Sequence, residues 1–431
     1  MSRPQRLDKW FSSLIEKSNF RVVDSSLAAS KTWVLSGGQI RHHTGRFFKV
    51  VGVRWSSPSG EVITRPLLEQ HEIGTLGFMM RRVNDKNEVL MQAKLEPGNI
   101  GVVQLAPTCQ ATASNISQVH GGSKPPFCEW FKPGDPNIVH ESLQSEQGSR
   151  FLGKRNRNVL SIVNQSVPSG FLHSWLPVEE TLDLLTVDYL VNSDARSVLV
   201  CGPWEQLVGR EPFSKYRSGF GRELSHSYQE TKSIGNTKTI LDELRQLRLA
   251  VGAPAIVGLD NLDGWKITDG GVAPISKKPF VVRQIKVTAA LREVPTWDQP
   301  IIDSSGEGRI DLLCGRIDGV LHFLFRPHIE PGLENKVELG PSMVIEPGDT
   351  EEGKGVDQYK TVVRTECSQS EEGGRFYRDT NRYRVVDVGE AFEAPPTWNW
   401  LTLRQIRKLL DEGGWLTNEA RSALSLLLIW L

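Results

Sequence analysis

KLEPGNIGVVQLAP, residues 94–107, returns 234 positions later as HIEPGLENKVELGP, residues 328–341. Extended outward, this shift lays residues 65–107 on 299–341 without a gap, and about ten of the forty-three pairs are identical. TRPLLEQ thereby meets DQPIIDS. A second shift, of 225, lays QSEQGSRFLGKRNRN (144–158) on QSEEGGRFYRDTNRY (369–383) and holds register through Trp175/Trp400 and the Ala-Arg-Ser triplets at 195–197 and 420–422. Order preserved over windows of this length marks an internal duplication. The chain therefore divides into a first repeat, residues 1–205, and a second, residues 235–431. The polar, Gly-containing stretch between them, residues 206–234, reads as an irregular linker lying over a surface.

Each copy opens on an amphipathic helical pattern, residues 7–17 and 239–249, and passes into sequence rich in β-branched and aromatic residues. In the first copy the strand-like runs are 47–55, 73–81, 89–95 and 102–105, set between Gly, Pro and Asn. Helical spacing returns at 178–190, 401–410 and 418–430. The apolar run 423–431 reads as a packed terminal helix. This order predicts an α+β protein of two tandem homologous domains, each a mixed sheet with flanking helices. No strand leads into a Gly-rich phosphate-binding turn, so the doubly wound nucleotide folds have no signature.

Composition narrows the function class. Of 431 residues 39 % are hydrophobic and 24 % charged, which excludes disordered and fibrous classes. Fifty-one basic residues balance fifty-one acidic ones, so the chain lacks the broad positive field of a nucleic-acid or membrane-surface binder, and a phosphate ligand requires a local basic pocket. Five widely spaced cysteines with no C-x-x-C argue against a disulfide framework and a thiolate zinc site and fit a reducing cytoplasm. Charges interrupt the start of the chain where a signal peptide needs an apolar core, and no stretch reaches the roughly 18 apolar residues of a membrane span. The expectation is a cytoplasmic chain without a membrane or nucleic-acid partner.

Three segments carry groups suited to chemistry. Along MQAKLE (91–96) alternation puts Gln92, Lys94 and Glu96 on one strand face, and the next strand brings Gln104, Thr108 and Gln110 beside it. The alternative is a solvated sheet face. RHHTGRFFKV places His42, His43 and Arg46 just before a strand, where alternation turns at most one of two adjacent histidines toward a pocket. In SEQGSRF…NR, Glu146, Arg150, Asn156 and Arg157 answer Glu371, Arg375, Asn381 and Arg382. These form either an internal strut or a diphosphate grip, for which a planar guanidinium offers paired donors. Lys154 and Arg155 raise the charge of the first copy, whereas the second has Asp379 and Thr380 there. No His or Cys cluster has metal-ligand spacing, so neither a metal nor another cofactor is expected.

HHTGRFF, LMQAKLEPGN, QLAPTCQATASN, VHGG (119–122) and SEQGSRFLGKRNRN resemble the NDP-hexose 2,3-dehydratase family of deoxysugar biosynthesis, and the resemblance covers nearly the whole chain. It implies two Nudix-like halves, a homodimer, and action on dTDP-4-keto-6-deoxy-glucose in the cytoplasm of an antibiotic-producing bacterium. The Nudix catalytic box is absent, so the implied likeness is one of fold and does not extend to metal-dependent hydrolysis.

Such a substrate sets the chemistry. Its C4 ketone acidifies C3–H; a base removes that proton, donors stabilise the C4 enolate, and the C2 hydroxyl leaves. The resulting enol ketonises to a 3,4-diketo-2,6-dideoxy sugar, a substrate for an NADPH-dependent 3-ketoreductase, and no redox cofactor is needed. The expected catalytic residues are His42, His43, Lys94 and Glu96; a histidine leads as base because its ordinary pKa lies closest to neutrality, and His42 is preferred because alternation puts it with Thr44 and Arg46. Arg46, Gln92, Gln104, Thr108, Gln110, Arg150, Arg155, Asn156 and Arg157 are expected to bind substrate. Glu371, Arg375, Asn381 and Arg382 would form a vestigial second nucleotide site. His42, His43, Gln92, Lys94 and Gln110 meet Ser276, Lys277, Arg326, His328 and Val344 in the second copy, which assigns catalysis to the first. A non-catalytic sugar-nucleotide binder and a Nudix-type hydrolase are the competing classes.

Overall fold

The computed structural model describes residues 3–119, 121–164, 167–230, 237–276, 280–304, 306–347 and 361–431. His120 of the VHGG motif, Lys277 and linker residues 231–234 lie outside them. The fold is α+β. Each repeat holds a seven-stranded mixed sheet and contributes a smaller, largely antiparallel hairpin layer; in that of the first, Phe151–Leu152 pairs in parallel with Val62–Glu69.

In the first repeat the large sheet runs in the order Ile138–Ser145, Arg155–Ile162, Gly74–Val83, Lys86–Leu95, His173–Pro177, with Cys109–Ala111 pairing on Gly74–Val83 and Val103–Ala106 on Lys86–Leu95 where those two central strands diverge. Arg155–Ile162 lies parallel to Gly74–Val83, and the other pairings are antiparallel. The second repeat repeats the mixture, with Thr380–Glu390 parallel to Glu307–Ile317.

The hairpin layers show that the copies are interlocked. Arg21–Asp24 of the first repeat pairs with Val281–Thr288 of the second, while Ala255–Val257 of the second pairs with Lys49–Ser56 of the first. The E-P-G turns cross in the same reciprocal way: Gly98 N–H donates to Gly373 O at 2.8 Å, and Gly332 N–H to Gly148 O at 2.9 Å. A Cβ at either glycine would lie under 2 Å from a backbone oxygen, Phe376 O for Gly98 and Phe151 O for Gly332. The turn thus recurs because each copy docks on the other through it, a reason independent of catalysis. Helices Ser193–Cys201 and Asn418–Ser425 pack together, with buried Arg196 and Arg421 each bonding a serine of the opposite repeat. One apolar core runs through both repeats, from Leu7 to Leu431.

Several expectations change. Residues 206–230 are not a surface linker: Trp204–Val208 and Gly219–Gln229 are helical and bury Leu207, Phe220 and Leu224, with Phe213 buried between them. Phe220 and Leu224 stand four apart on one helical face, and that spacing overrides the polar average of the segment. The helix expected at 178–190 stops at Asp183 and continues as a 3₁₀ turn, Leu184–Thr186; Tyr189 then takes a φ of 56° and donates its N–H to Ser368 O of the other repeat. The helix at 401–410 begins at Leu403, behind a Thr402/Gln405 capping box. Cys109 and Cys128 form a disulfide, contrary to the cysteine count. The loop between them folds the 3₁₀ turn Cys128–Phe131 back over the strand Cys109–Ala111, an approach that spacing cannot reveal. Register also moves two comparisons: Trp33 pairs with His42 and Trp265 with Pro274, so His42 and His43 answer Pro274 and Ile275 instead of Ser276 and Lys277.

Candidate active site

A cleft of about 490 Å³ opens between the large sheet of the first repeat, its His-bearing hairpin and loops of the second repeat. Its floor follows from strand alternation. Lys94 and Glu96 project from the end of Lys86–Leu95 and the turn after it, and both are buried, which excludes the solvated-face alternative. Lys94 Nζ donates to Gln110 O at 2.7 Å and stands 4.0 Å from Glu96 Oε1. The Gln110 side chain donates to Glu96 at 3.3 Å and accepts from Asn192 Nδ2 at 3.0 Å. Burial lowers the Lys94 pKa and Glu96 partly restores it; burial raises that of Glu96 and Lys94 opposes the rise.

The wall combines both repeats. Asn156 accepts from Gly74 N–H and donates to Glu146, and Lys154 donates to Glu72 O. Arg375 crosses from the second repeat and lies over the Phe48 ring, 4.3 Å from its centroid. Arg292 holds Glu293 at 3.1 Å; burial pushes the Glu293 carboxyl up, but Arg292 and Lys94 bring it down to about 2. Asp194, at the start of Ser193–Cys201, completes the wall near Lys94 and Glu96.

At the rim both histidines face the cleft, because His42 ends its strand and His43 begins the turn, where alternation no longer applies. Their rings stack at 4.6 Å; His42 Nδ1 meets Thr44 Oγ1 at 2.7 Å and His43 Nδ1 meets Thr32 O at 3.2 Å. Burial, then His43, lowers the His42 pKa. Trp33, Phe47, Phe48 and Trp297 supply aromatic surface.

Lys94, Glu96, Gln110, Asn156, His42 and His43 are thus brought together, and other expected residues are not. Gln92 is buried off the cleft, whereas Gln104 donates to Tyr189 O and Ser370 and Thr108 ties Leu90 O to Met79 N–H, so the last two brace strands. Arg46 is exposed on the turn. Arg157 forks onto Glu141 with two 2.8 Å bonds, Arg155 approaches Glu334 at 3.9 Å, and Arg150 stacks on Phe280 and pairs with Glu346. Each of these guanidiniums is engaged by protein away from the cleft. In the second repeat Glu371 accepts from Asn381 and Tyr383, its pKa pushed up to about 8 by burial and Asp379, while Arg382 faces Glu307. Arg375 belongs to the first cleft and not to a second site. Sequence reading left out Asp194, Arg292 and Glu372 and gave Lys154 no role. A signal for Asp194 existed, since the 225 shift lays it on another carboxylate, Glu419.

Among the described residues no cluster of His, Cys, Asp and Glu is set to hold a metal ion, and no helix is long and apolar enough to cross a membrane.

A model of the NDP-hexose 2,3-dehydratase family matches residues 4–201 and 245–427. The chain belongs to that family. The two matched segments follow the two repeats. Similar dehydratases include proteins named dTDP-4-dehydro-6-deoxy-alpha-D-glucopyranose 2,3-dehydratase from Saccharopolyspora spinosa, 37 % identical over 88 % of this chain and 82 % of that one, and from Streptomyces violaceoruber, 33 % identical over 96 % and 95 %. A third of the same name, from Amycolatopsis orientalis, is 31 % identical over 98 % and 90 %.

Proposed function

We propose that this dehydratase removes water across C2 and C3 of a dTDP-linked 4-keto-6-deoxy-hexose, leaving a 3,4-diketo-2,6-dideoxy sugar nucleotide. The observation that carries the reading is the buried Lys94–Glu96–Gln110 constellation at the floor of a cleft large enough for a sugar nucleotide. A buried ammonium with only part of its donor capacity used by Gln110 suits the oxygen of a developing C4 enolate, where a low-dielectric site makes such a charge most effective. His42, ending a strand at the rim, is the base for C3–H. Lys154 and Arg375 replace Arg150, Arg155 and Arg157 as the cationic grip on the diphosphate, and the aromatic rim takes the nucleobase.

A 3,4-diketone is reactive, so an NADPH-dependent 3-ketoreductase is the partner class that consumes it. The Nudix-like character of each half, a homodimer and a cytoplasmic location extend the same reading; sedimentation resolving two chains per particle tests the dimer.

The deciding assay supplies dTDP-4-keto-6-deoxy-glucose with that reductase and NADPH. A 2-deoxy product supports dehydration, free dTMP supports a hydrolase, and unchanged substrate supports a non-catalytic binder. Solvent deuterium should enter C3 of the substrate or of a non-eliminating analogue with the native chain, and His42→Ala should abolish that exchange while dTDP still binds.

A further inference from the structure

We propose that Asp194 is the acid that gives its proton to the departing C2 hydroxyl, an inference that rests on the dehydration reading above. Asp194 lines the cleft in the company of Lys94, Glu96 and Gln110. Its placement is rigid. It is the second residue of Ser193–Cys201, a helix capped by Asn192, whose side chain accepts from Ala195 N–H at 2.9 Å and also donates to Gln110 Oε1 at 3.0 Å. Gln110 receives Lys94 on its backbone oxygen, so a single residue couples the helix start to the lysine.

The Asp194 carboxyl is also uncommitted. Among the described residues no hydrogen bond and no ion pair within 4.0 Å engages it, although the residue is only 4 % exposed. Of the neighbouring acids, the buried Glu96 is held by Gln110 and the buried Glu146 by Asn156 and Asn418, while Glu372, which also lines the cleft without a side-chain hydrogen bond among the described residues, is only half-buried. Asp298 is bound by Thr32 and Gln284, and Glu293 by Arg292. Burial raises the Asp194 pKa well above the ordinary carboxylate range, and Glu372 and Glu146 of the two inter-repeat loops and Glu96 of the lysine strand push the same way, against Lys94. A helix N-terminus favours an anion, whereas desolvation and three neighbouring carboxylates favour the neutral acid. Burial and these neighbours thus favour the protonated form of the carboxyl, the form a general acid uses.

The step balances. His42 takes the proton from C3, and the C–H electron pair forms the C4 enolate. That enolate reforms the ketone as the C2–O bond breaks, and the oxygen leaves with the Asp194 proton as water. The C2=C3 enol then gains a proton at C2 and loses one from its C3 hydroxyl, and solvent carries the His42 proton back to Asp194. There is no net oxidation. The competing role is scaffolding, because Glu419 stands at the matched place in the second repeat.

The test compares two leaving groups in the full chain. With dTDP-4-keto-6-deoxy-glucose in deuterated water, Asp194→Asn should keep C3 exchange within about threefold of the native rate while water loss falls at least about a hundredfold. With the 2-fluoro analogue, whose leaving group needs no acid, fluoride release should stay within a few-fold of native. Equal losses on both substrates, or unchanged water loss, overturn the assignment. Should the Asn variant fail to fold, Asp194→Ala carries the same comparison: loss confined to the hydroxyl substrate supports the acid, and equal loss or none overturns it. A native chain that binds the keto-sugar without dehydrating it fails the functional reading instead, which separates the two.

Discussion

The floor of the cleft in the first repeat and the matched floor of the second are built on the same strand and turn yet differ in chemistry. Lys94, Gln110 and Asn192 become His328, Val344 and Thr417. Thr417 still caps its helix, but Val344 offers no amide to join that helix to Glu330, which instead faces His328 at 3.4 Å. Docking features persist on both sides: Gly98 and Gly332, Arg196 and Arg421, and the Ser370 and Ser145 hydroxyls that bond Gln104 and Glu338. The contacts that join the halves thus recur in both repeats while this polar network stands in the first floor alone, and the cleft above it draws Arg375, Arg292 and Glu372 from the second repeat.

The largest expected effect probes that contrast directly. Lys94→Ala should lower turnover on the keto-sugar at least about a hundredfold, the range for a lost enolate-stabilising group, whereas His328→Ala should leave most activity. Equal losses would mean that the second floor also works. Next, Arg375→Ala should raise KM at least about tenfold through loss of a charged contact to the diphosphate, while Arg150→Ala stays within about twofold. The reverse result, read by initial rates, would return the diphosphate grip to Arg150.

Glu338 sharpens the comparison through pH. It occupies the place of Gln104, accepts from Ser145 Oγ, and burial raises its pKa to about 7 against an ordinary 4.5. The native state then holds a proton that the unfolded chain releases between about pH 4.5 and 7, so this group subtracts stability as pH rises through that window, with the full loss above it. Glu338→Gln should remove the decline and stabilise the protein by on the order of 3 kcal/mol at pH 8, measured by denaturant unfolding across pH. A parallel shift at all pH values would show that the carboxyl is not the cause. The smallest effect is Arg157→Ala. Its fork onto Glu141 is partly exposed, so stability should drop by roughly 1 kcal/mol or less while dTDP affinity stays unchanged in calorimetry. Lost affinity in a fully folded variant would restore the sequence-based diphosphate role.

Read alone, the sequence determined the duplication, the α+β class and the strand that carries Lys94 and Glu96, because gap-free self-similarity and period-two alternation are properties of neighbouring residues. It also singled out the histidine turn, whose density of polar groups is local. Which arginine enters the cleft was decided only by tertiary structure. Arg150, Arg155, Arg157 and Arg375 look alike as sequence, and their fates depend on Glu346, Glu334, Glu141 and Phe48, three of which lie far along the chain from the arginine they engage. The same holds for the exchange of strands Arg21–Asp24 and Ala255–Val257 and for the Cys109–Cys128 bridge. An internal repeat specifies two similar units, but the way they clasp is set by long-range packing and by glycines that permit close backbone approach, and no local pattern encodes that choice.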